Sequence, residues 1–192
     1  SRTFFGWYYE LHEQSMSTNV LFSSLDEALG GLVIPPEIRG VLTLIDVPYV
    51  SFEKRDCMGQ LVIHTNLAQE VGLLFGELYI RKFPIHKMVP VAAYNWDDEA
   101  SMADNNTSAF NYRCIVDSDV LSNHSLGRAI DINPLQNPYH ARNGNTYPPH
   151  AVHDPSVPGT LFADSDIVTL FKERGWIWLG DREDYKDYQH FE

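Results

Sequence analysis

The alternation of hydrophobic and polar positions predicts a chain that mixes strands with helices. Residues 41–50 (VLTLIDVPYV) are apolar and β-branched, which favours an extended segment, and residues 60–64 (QLVIH) predict a second strand. A helix is predicted to begin at Thr65 or Asn66 and to be stopped by Pro84. One face of that helix is apolar and consists of Leu67, Val71, Leu74 and Leu78.

Two further helices are indicated by their capping residues. Ser24 and Glu27 form a capping box, which predicts a helix start. Residues 164–176 (DSDIVTLFKERGW) carry an apolar helical face, and Asp164 or Ser165 is the predicted N-cap.

The remaining segments divide into extended stretches and loops. Residues 88–94 and 176–179 are predicted to be extended, whereas residues 95–108 and 134–160 are predicted to be loops because they are polar or rich in Pro, Asn, Gly and His. A loop as long as 134–160 is often functional in a compact domain.

Residues 129–133 (AIDIN) alternate in polarity, and this places a carboxylate between two core residues. Ile130 and Ile132 are expected to face the core, and Asp131 is expected to face a cleft. Strands and helices mix without a regular βαβ rhythm, so we expect an α+β fold with an antiparallel sheet. A length of 192 residues favours a single domain over residues 1–192.

Composition and charge exclude some functions. The formal net charge is −12 and no basic stripe is present, which argues against a nucleic-acid partner. No apolar stretch of about 18 residues occurs, so no membrane span is expected. The two cysteines, Cys57 and Cys114, could pair or remain thiols, and two cysteines form no metal motif by themselves.

Two segments far apart in the sequence together contain a possible metal site. His124, Asp131 and His190 would supply three zinc ligands, which leaves the fourth position of a catalytic zinc open for water. Asp187 would lie near the metal without binding it, where a carboxylate can move a proton from water to a leaving amine. Gly127 lets the backbone turn between the first two ligands. The spacing alone is equally compatible with a surface histidine, a capping aspartate and a polar tail.

Residues 122–134 (SNHSLGRAIDINP) and 175–192 (GWIWLGDREDYKDYQHFE) closely resemble the D-alanyl-D-alanine carboxypeptidase family of zinc peptidases. The first family signature, Ser-x-His-x-x-Gly-x-Ala-x-Asp, is matched at every fixed position, by Ser122, His124, Gly127, Ala129 and Asp131. The second signature places an acidic residue three positions before a histidine, often followed by Phe-Glu, and is matched by Asp187, His190, Phe191 and Glu192. The matches cover roughly residues 100–192, which would form the metal-site core. Leu179 and Arg182 depart from the Gly-Gly-Asp-Trp sequence common in the family.

The resemblance implies a hedgehog/DD-peptidase-like fold with one zinc per chain in a cleft on the sheet. It implies that His124, Asp131 and His190 hold the zinc and that Asp187 is the general base and then the general acid. Residues 105–113 look like the family segment that supplies an active-site arginine, so Arg113 would stabilise the developing oxyanion. The implied substrate is a peptidoglycan stem peptide. Cleavage as a D-alanine carboxypeptidase and as an L-alanyl-D-glutamate endopeptidase are both open.

The resemblance also implies a bacterial cell-envelope or secreted location, although no targeting segment is visible in this chain. A catalytically inactive, hedgehog-like zinc domain that binds a partner is the alternative function, and a zinc-free structural domain is a further one. Arg128 and Arg142 are the alternatives to Arg113, and Glu192 is the alternative base. Ser122 is expected either to contact the substrate or to act as a cap hydroxyl.

Two other features have weaker interpretations. His140, His150 and His153 could form a second metal site, but scattered loop histidines are more common. Residues 1–40, which include Trp7 and His12, match no known pattern. They are expected either to extend the core or to pack over the cleft. The oligomeric state is not predicted by the sequence.

Overall fold

A computed structural model describes residues 17–18, 21–115 and 118–192. The helices are α1 (Leu25–Ala28), α2 (Pro36–Arg39), α3 (Ala68–Ile80), α4 (Asp98–Ala103) and α5 (Asp166–Glu173). The strands are β1 (Ser17–Thr18), β2 (Leu42–Val50), β3 (Asp56–His64), β4 (Lys87–Met88), β5 (Asn106–Thr107), β6 (Ile130–Asp131), β7 (Tyr139–His140), β8 (Thr146–Tyr147), β9 (Lys186–Asp187) and β10 (His190–Phe191). Short 3-10 turns occupy Thr65–Leu67, Val91–Tyr94, Asn123–Leu126 and Leu179–Asp181.

Strands β2 and β3, the longest of the described residues, form a hairpin. Its strands pair antiparallel from Leu42 opposite His64 to Val50 opposite Asp56, and β1 adds to β3 in parallel. Helix α3 buries Val71, Leu74 and Leu78 in the core cluster that includes the β3 residues Leu61 and Ile63. The predicted apolar face is therefore confirmed for these three residues, whereas Leu67 lies in the 3-10 turn before the helix and is partly buried against the same cluster.

Three smaller sheets build the opposite part of the molecule. Strands β6 and β10 pair antiparallel, β7 lies between β8 and β9 with both pairings antiparallel, and β4 pairs with β5 in parallel. Ile130, Ile132 and Phe191 are fully buried in the main core cluster, which fixes the backbone of β6 and β10 against the rest of the domain. The expected mixture of helices and antiparallel strands is confirmed, but the strands form several small sheets instead of one, and two pairings are parallel. The specific hedgehog-like topology stays a prediction.

The N-terminal ends of the helices follow the predicted capping chemistry. Ser24 caps α1 by accepting from the backbone N–H of Glu27 at 3.2 Å. Ser165, rather than Asp164, caps α5, and its hydroxyl accepts from the N–H of Val168 at 3.3 Å. Helix α3 ends at Ile80, before Pro84 is reached.

Two of the predicted segments are wrong in detail. The polar segment 95–108 contains α4, which begins because Asp97 accepts from the N–H of Ala100 at 3.0 Å. A six-residue helix with little apolar surface gives no periodic signal in the sequence. Residues 88–94 are extended only at the start, because a 3-10 turn over Val91–Tyr94 follows Pro90.

The predicted strand over 176–179 is also only partly present. Ile177 exchanges two backbone hydrogen bonds with Glu192, at 2.8 and 3.0 Å, and Trp178 bridges to Phe191. The pairing then stops because a 3-10 turn begins at Leu179. The predicted loop 134–160 is mostly irregular but contains β7 and β8.

The described part of residues 1–40 packs on the hairpin. Ala28, Leu29 and Ile38 are buried in a second core cluster with Leu42 of β2 and Val62 of β3. This packing favours the expectation that residues 21–40 extend the core. Trp7 and His12 lie outside the described residues. Within those residues, no helix combines the length and apolarity that crossing a bilayer requires.

Candidate functional site

The backbone pairing of β6 with β10 brings two distant parts of the sequence together. His190 lies directly opposite Asp131 in this antiparallel pair, and Nδ1 of His190 is 2.9 Å from Oδ1 of Asp131. The two side chains are 6% and 7% exposed, so a charged group is held in a nearly closed environment. Buried carboxylates of this kind require a compensating partner.

His124 reaches the same point from the 3-10 turn Asn123–Leu126. Ser122 caps this turn through its hydroxyl, which accepts from the N–H of His124 at 3.3 Å. Gly127 ends the turn with φ +63°, and a Cβ at this position would lie 2.6 Å from the backbone nitrogen of His64. Glycine is therefore required here for both its backbone conformation and its close approach to β3.

His124, Asp131 and His190 form a group that could hold a metal ion, with their potential ligand atoms all within 4.8 Å of one another. Nε2 of His124 is 3.0 Å from Oδ2 of Asp131 and 3.1 Å from Nδ1 of His190. Ligand atoms about 2.0–2.1 Å from a tetrahedral zinc would be about 3.3 Å apart. Both the donor types and their spacing therefore fit zinc.

The outward nitrogen of each histidine has its own partner. Nδ1 of His124 contacts the carbonyl oxygen of Ala109, and Nε2 of His190 lies 3.1 Å from Oε2 of Glu192. Asn123 in turn donates to that same carboxylate oxygen at 2.7 Å. Contacts of this kind fix the ring orientation and direct the second nitrogen inward, as is typical around metal-binding histidines.

Close contacts within the site shift the pKa values of His190, Asp131 and Glu192. Although burial lowers the pKa of His190, its hydrogen bonds with Asp131 and Glu192 raise that pKa to about 10. Although burial raises the pKa of Asp131, His124 and His190 hold it far below the ordinary aspartate value. The hydrogen bond with His190 lowers the pKa of Glu192 to about 2. In the metal-free protein His190 is therefore protonated. A cation that binds there would have to displace this proton.

A cleft of about 830 Å³ opens above this group, and both predicted catalytic residues line it. Asp187 is half-buried, and its Oδ1 has no hydrogen-bond partner among the described residues. Burial, opposed by the charge of His190 and reinforced by that of Asp131, raises the pKa of Asp187 to about 7. A carboxyl group that titrates near neutrality in a cleft has the property of a general acid or base.

Arg113 also lines the cleft and is held there by two sets of contacts. Its backbone N–H donates to Oγ of Ser125 at 2.8 Å, and its Nη2 lies 3.1 Å from Oδ2 of Asp98. Its Nε is buried without a partner among the described residues. The two alternative arginines are exposed: Arg128 contacts His64, and Arg142 lines the cleft but pairs with Asp184.

Ser122 lines the cleft, but its hydroxyl already acts as a cap. The less favoured second histidine site does not assemble in the described residues: Nε2 of His153 contacts the carbonyl oxygen of Leu161 at 2.7 Å, and His140 contacts Thr146. Cys57 is buried, Cys114 is exposed, and both are free thiols.

Sequence reasoning missed several residues of the cleft. Asp98, Met102 and Gln189 line it: the first two belong to no motif that the sequence displays, and Gln189 occupies an open position of the second signature. A tyrosine wall on the β7–β8 side was also missed, and consists of Tyr139, Tyr147 and Tyr185. The alternation of tyrosines with polar residues in a long loop gave no signal for their convergence.

Comparison with known proteins gives one match. Residues 116–192 match a family model described as D-alanyl-D-alanine carboxypeptidase. No curated protein and no solved structure matches the chain. The match covers less than half of the chain and contains His124, Asp131, Asp187 and His190, whereas Arg113 lies just before it. The resemblance predicted from the two sequence signatures is therefore confirmed over residues 116–192, and this part of the chain is similar to that peptidase family.

Proposed function

We propose that the chain is a zinc metallopeptidase that hydrolyses amide bonds in peptidoglycan stem peptides. The observation that carries this proposal is the convergence of one possible metal site with an unpaired carboxylate and an arginine in a single cleft. The three residues that would hold one zinc per chain are His124, Asp131 and His190. The family match supports the peptidase class.

Zinc, when bound, supplies Lewis acidity that polarises an amide carbonyl and makes water more acidic. Asp187 is positioned to handle the proton of the reaction, since its Oδ1 is unpaired and lies in the cleft. It would accept the proton of the attacking water and donate it to the leaving nitrogen, which otherwise departs as a poor amide anion. In the metal-free protein, burial raises the pKa of Asp187 to about 7, which strengthens the carboxylate as a proton acceptor.

Arg113 would stabilise the negative charge that develops on the carbonyl oxygen. Its pairing with Asp98 fixes the plane of the guanidinium, while the unpaired Nε remains available as a donor. Donors that are oriented before reaction cost little reorganisation when the charge appears. A domain that only binds zinc and a partner would need neither this arginine nor Asp187.

The substrate and location are assigned through the family. D-amino acids are the implied substrate element, and a bacterial cell-envelope or secreted location follows from the same resemblance. The single domain would cover residues 1–192, with a hedgehog/DD-peptidase-like metal core in residues 100–192. The net charge of −12 disfavours tight binding to an anionic wall. We therefore expect either a soluble stem peptide as substrate or a separate targeting module.

Digestion of purified peptidoglycan, followed by mass analysis of the products, tests the proposal. Release of D-alanine would identify a carboxypeptidase, and release of peptides that begin with D-glutamate would identify an L-alanyl-D-glutamate endopeptidase. Synthetic peptides of both types should be digested in parallel, with and without a zinc chelator. If zinc binds stoichiometrically but no peptide is cleaved, the proposal fails in favour of a zinc-dependent binding domain.

A further inference from the structure

Buried polar atoms without a partner are concentrated in one place. Among the described residues, four buried side-chain nitrogen or oxygen atoms have no hydrogen-bond partner. Three of them belong to residues that line the cleft, namely Arg113, Asp187 and Gln189. The first two have proposed roles in hydrolysis, and Gln189 has none.

Gln189 is buried, and its carboxamide is poorly satisfied. The residue is 2% exposed, and its Oε1 has no partner among the described residues. Its Nε2 has one contact, a donation to the thioether of Met102 at 3.8 Å, and a thioether is a weak acceptor. Its backbone carbonyl accepts from the N–H of Ile132 at 3.0 Å, so the main chain is anchored independently of the side chain.

A buried glutamine elsewhere in the fold shows how a purely structural carboxamide is bonded. Gln60 is 1% exposed, and its Oε1 accepts from the N–H groups of Leu21 and Phe22 at 2.9 and 3.0 Å. Its Nε2 donates to the carbonyl of Phe22 at 2.8 Å and to Asp46 at 2.9 Å. The same side chain at the same burial therefore makes four strong hydrogen bonds at Gln60 and none at Gln189.

This difference has a physical consequence. A buried acceptor without a partner destabilises the fold, because it has lost its hydrogen bonds with water. A methionine of similar length at position 189 would avoid that loss. The carboxamide is therefore suited to a partner that arrives from outside, and the cleft next to Asp187 and His190 is where that partner would enter.

We propose that Gln189 is a substrate-binding residue whose carboxamide hydrogen-bonds a backbone amide of the peptide beside the scissile bond. A peptide unit offers one N–H donor and one carbonyl acceptor, which match Oε1 and Nε2 of the carboxamide. The inference rests on the proposed function, because it takes the ligand to be a peptide bound across the metal site. It adds a specificity-determining contact that does not take part in proton transfer.

Replacement of Gln189 by methionine tests the inference with two independent measurements. Gln189→Met should lower kcat/KM by about tenfold, mainly through KM, for diacetyl-L-lysyl-D-alanyl-D-alanine or an L-alanyl-D-glutamyl peptide, whichever is cleaved. The same variant should melt at a higher temperature than the wild type, since an unsatisfied buried group is removed. A glutamine that serves the fold would show the opposite pattern, with a lower melting temperature and an unchanged KM, and that result would overturn the inference.

Gln60→Met is the matched control, because it removes a satisfied carboxamide far from the cleft. It should lower the melting temperature and leave KM unchanged. If this variant does not fold, Gln136→Met replaces it, since Oε1 of Gln136 accepts from Asn105 at 2.8 Å. An equal rise in KM in the control would show that the effect of Gln189→Met is unspecific and would overturn the inference.

Substrate analogues identify the bonded group. Peptides that are N-methylated at one amide at a time should each be measured with the wild type and with Gln189→Met. At the amide that donates to Gln189, methylation should weaken binding to the wild type but hardly affect the variant. Additive losses at every amide would contradict the contact.

Failure of the proposed function is distinguishable from failure of the inference. Calorimetric titration of the zinc-loaded protein with the same peptides measures binding without turnover. If the wild type binds a peptide but does not cleave it, the proposed function fails. A tenfold weaker affinity of Gln189→Met would still support the inference, and an unchanged affinity would overturn it. If the wild type binds none of the peptides, both fail.

Discussion

Asp98 and Arg113 form an ion pair on one wall of the cleft, with Nη2 of Arg113 3.1 Å from Oδ2 of Asp98. The other carboxylate oxygen of Asp98 accepts from Nδ2 of Asn111 at 3.1 Å. The pair is partly screened from water, with side-chain exposures of 30% for Arg113 and 27% for Asp98. Asp98 therefore orients the guanidinium, and the arginine enters the cleft in a fixed direction.

Removal of the Arg113 guanidinium should impair hydrolysis without affecting metal binding. Arg113→Ala is expected to lower kcat by about a hundredfold or more, by analogy with the loss of one oxyanion donor. Arg113→Lys should restore activity only in part, because lysine lacks the planar fork. Steady-state kinetics and elemental analysis provide the two measurements. Arg128→Ala is the control, and normal rates in Arg113→Ala would point to Arg142 instead.

Neutralisation of Asp98 should act through Arg113. Asp98→Asn removes the charge of the pair, and we expect kcat to fall by about tenfold because charge-assisted hydrogen bonds are the stronger class. In an Arg113→Ala background the same substitution should have little further effect, since its target is gone. Glu99→Gln changes an exposed charge in the same cleft and serves as the control. Equal losses in both backgrounds would show that Asp98 acts independently of Arg113.

The sequence predicted the residues of the possible metal site better than those of the surrounding cleft, and the reason is physical. His124 and Asp131 lie on a short segment whose turn requires Gly127, so the spacing of the motif reflects local geometry. The antiparallel pairing of β10 with β6 then places His190 opposite Asp131. The second family signature had identified His190 in the sequence. Asp98 reaches the cleft through tertiary contacts alone, and no local pattern encodes such contacts. Gln189 lies inside the second signature, but at a position that the signature leaves open.

Secondary structure was predicted best where burial is one-sided. The face of α3 and the strand β3 have strong apolar patterns because they pack on one core. The segment 176–179 was wrongly predicted to be a full strand, because two buried tryptophans resemble a β pattern although pairing ends at Leu179. Helix α4 was missed because capping by Asp97, and not hydrophobic periodicity, defines it.

Metal binding should release protons. His190 is protonated near neutral pH in the protein alone, since its pKa is raised to about 10, and a nitrogen that binds zinc cannot keep that proton. Zinc titrations near neutral pH, in buffers with different ionisation enthalpies, should show at least about one proton released per metal ion. One zinc should bind per chain, with ligand bonds of about 2.0–2.2 Å. His124→Ala should lose both metal and activity, and the absence of stoichiometric zinc in the wild type would contradict the assigned site.

Substitutions of Asp187 and Glu192 should affect turnover and zinc affinity differently. Asp187→Asn is expected to keep zinc and to lose at least about a hundredfold in turnover, the low end for general acid–base catalysis. Glu192→Gln weakens the hydrogen bond with His190, so it should mainly reduce zinc affinity, by about tenfold or more. Zinc affinity and turnover at saturating zinc should both be measured. If Glu192→Gln is inactive at saturating zinc while Asp187→Asn is active, Glu192 is the base.

Asp187 should contribute to the pH dependence of the stability of the metal-free protein. Its pKa is raised from 3.8 to about 7 on folding, mainly by burial, so between these values the folded state holds a proton that the unfolded state has lost. Stability must therefore contain a component that falls as the pH rises from about 4 to 7. Asp187→Asn removes this component. As the pH rises from about 4 to 7, the melting temperature of the variant should therefore rise relative to that of the wild type.

Exposed Glu183, four residues before Asp187, provides the control for this measurement: Glu183→Gln should change the melting temperature by a similar amount at both ends of the range. Bound zinc should reduce the rise in the melting temperature of Asp187→Asn relative to the wild type, because a nearby cation favours the ionised carboxylate and lowers the pKa of Asp187. Parallel melting curves for the wild type and Asp187→Asn in metal-free protein would show that Asp187 titrates as an ordinary surface carboxylate. The carboxylate would then be ionised throughout the neutral range, and a raised pKa would not contribute to the proposed return of its proton to the leaving nitrogen.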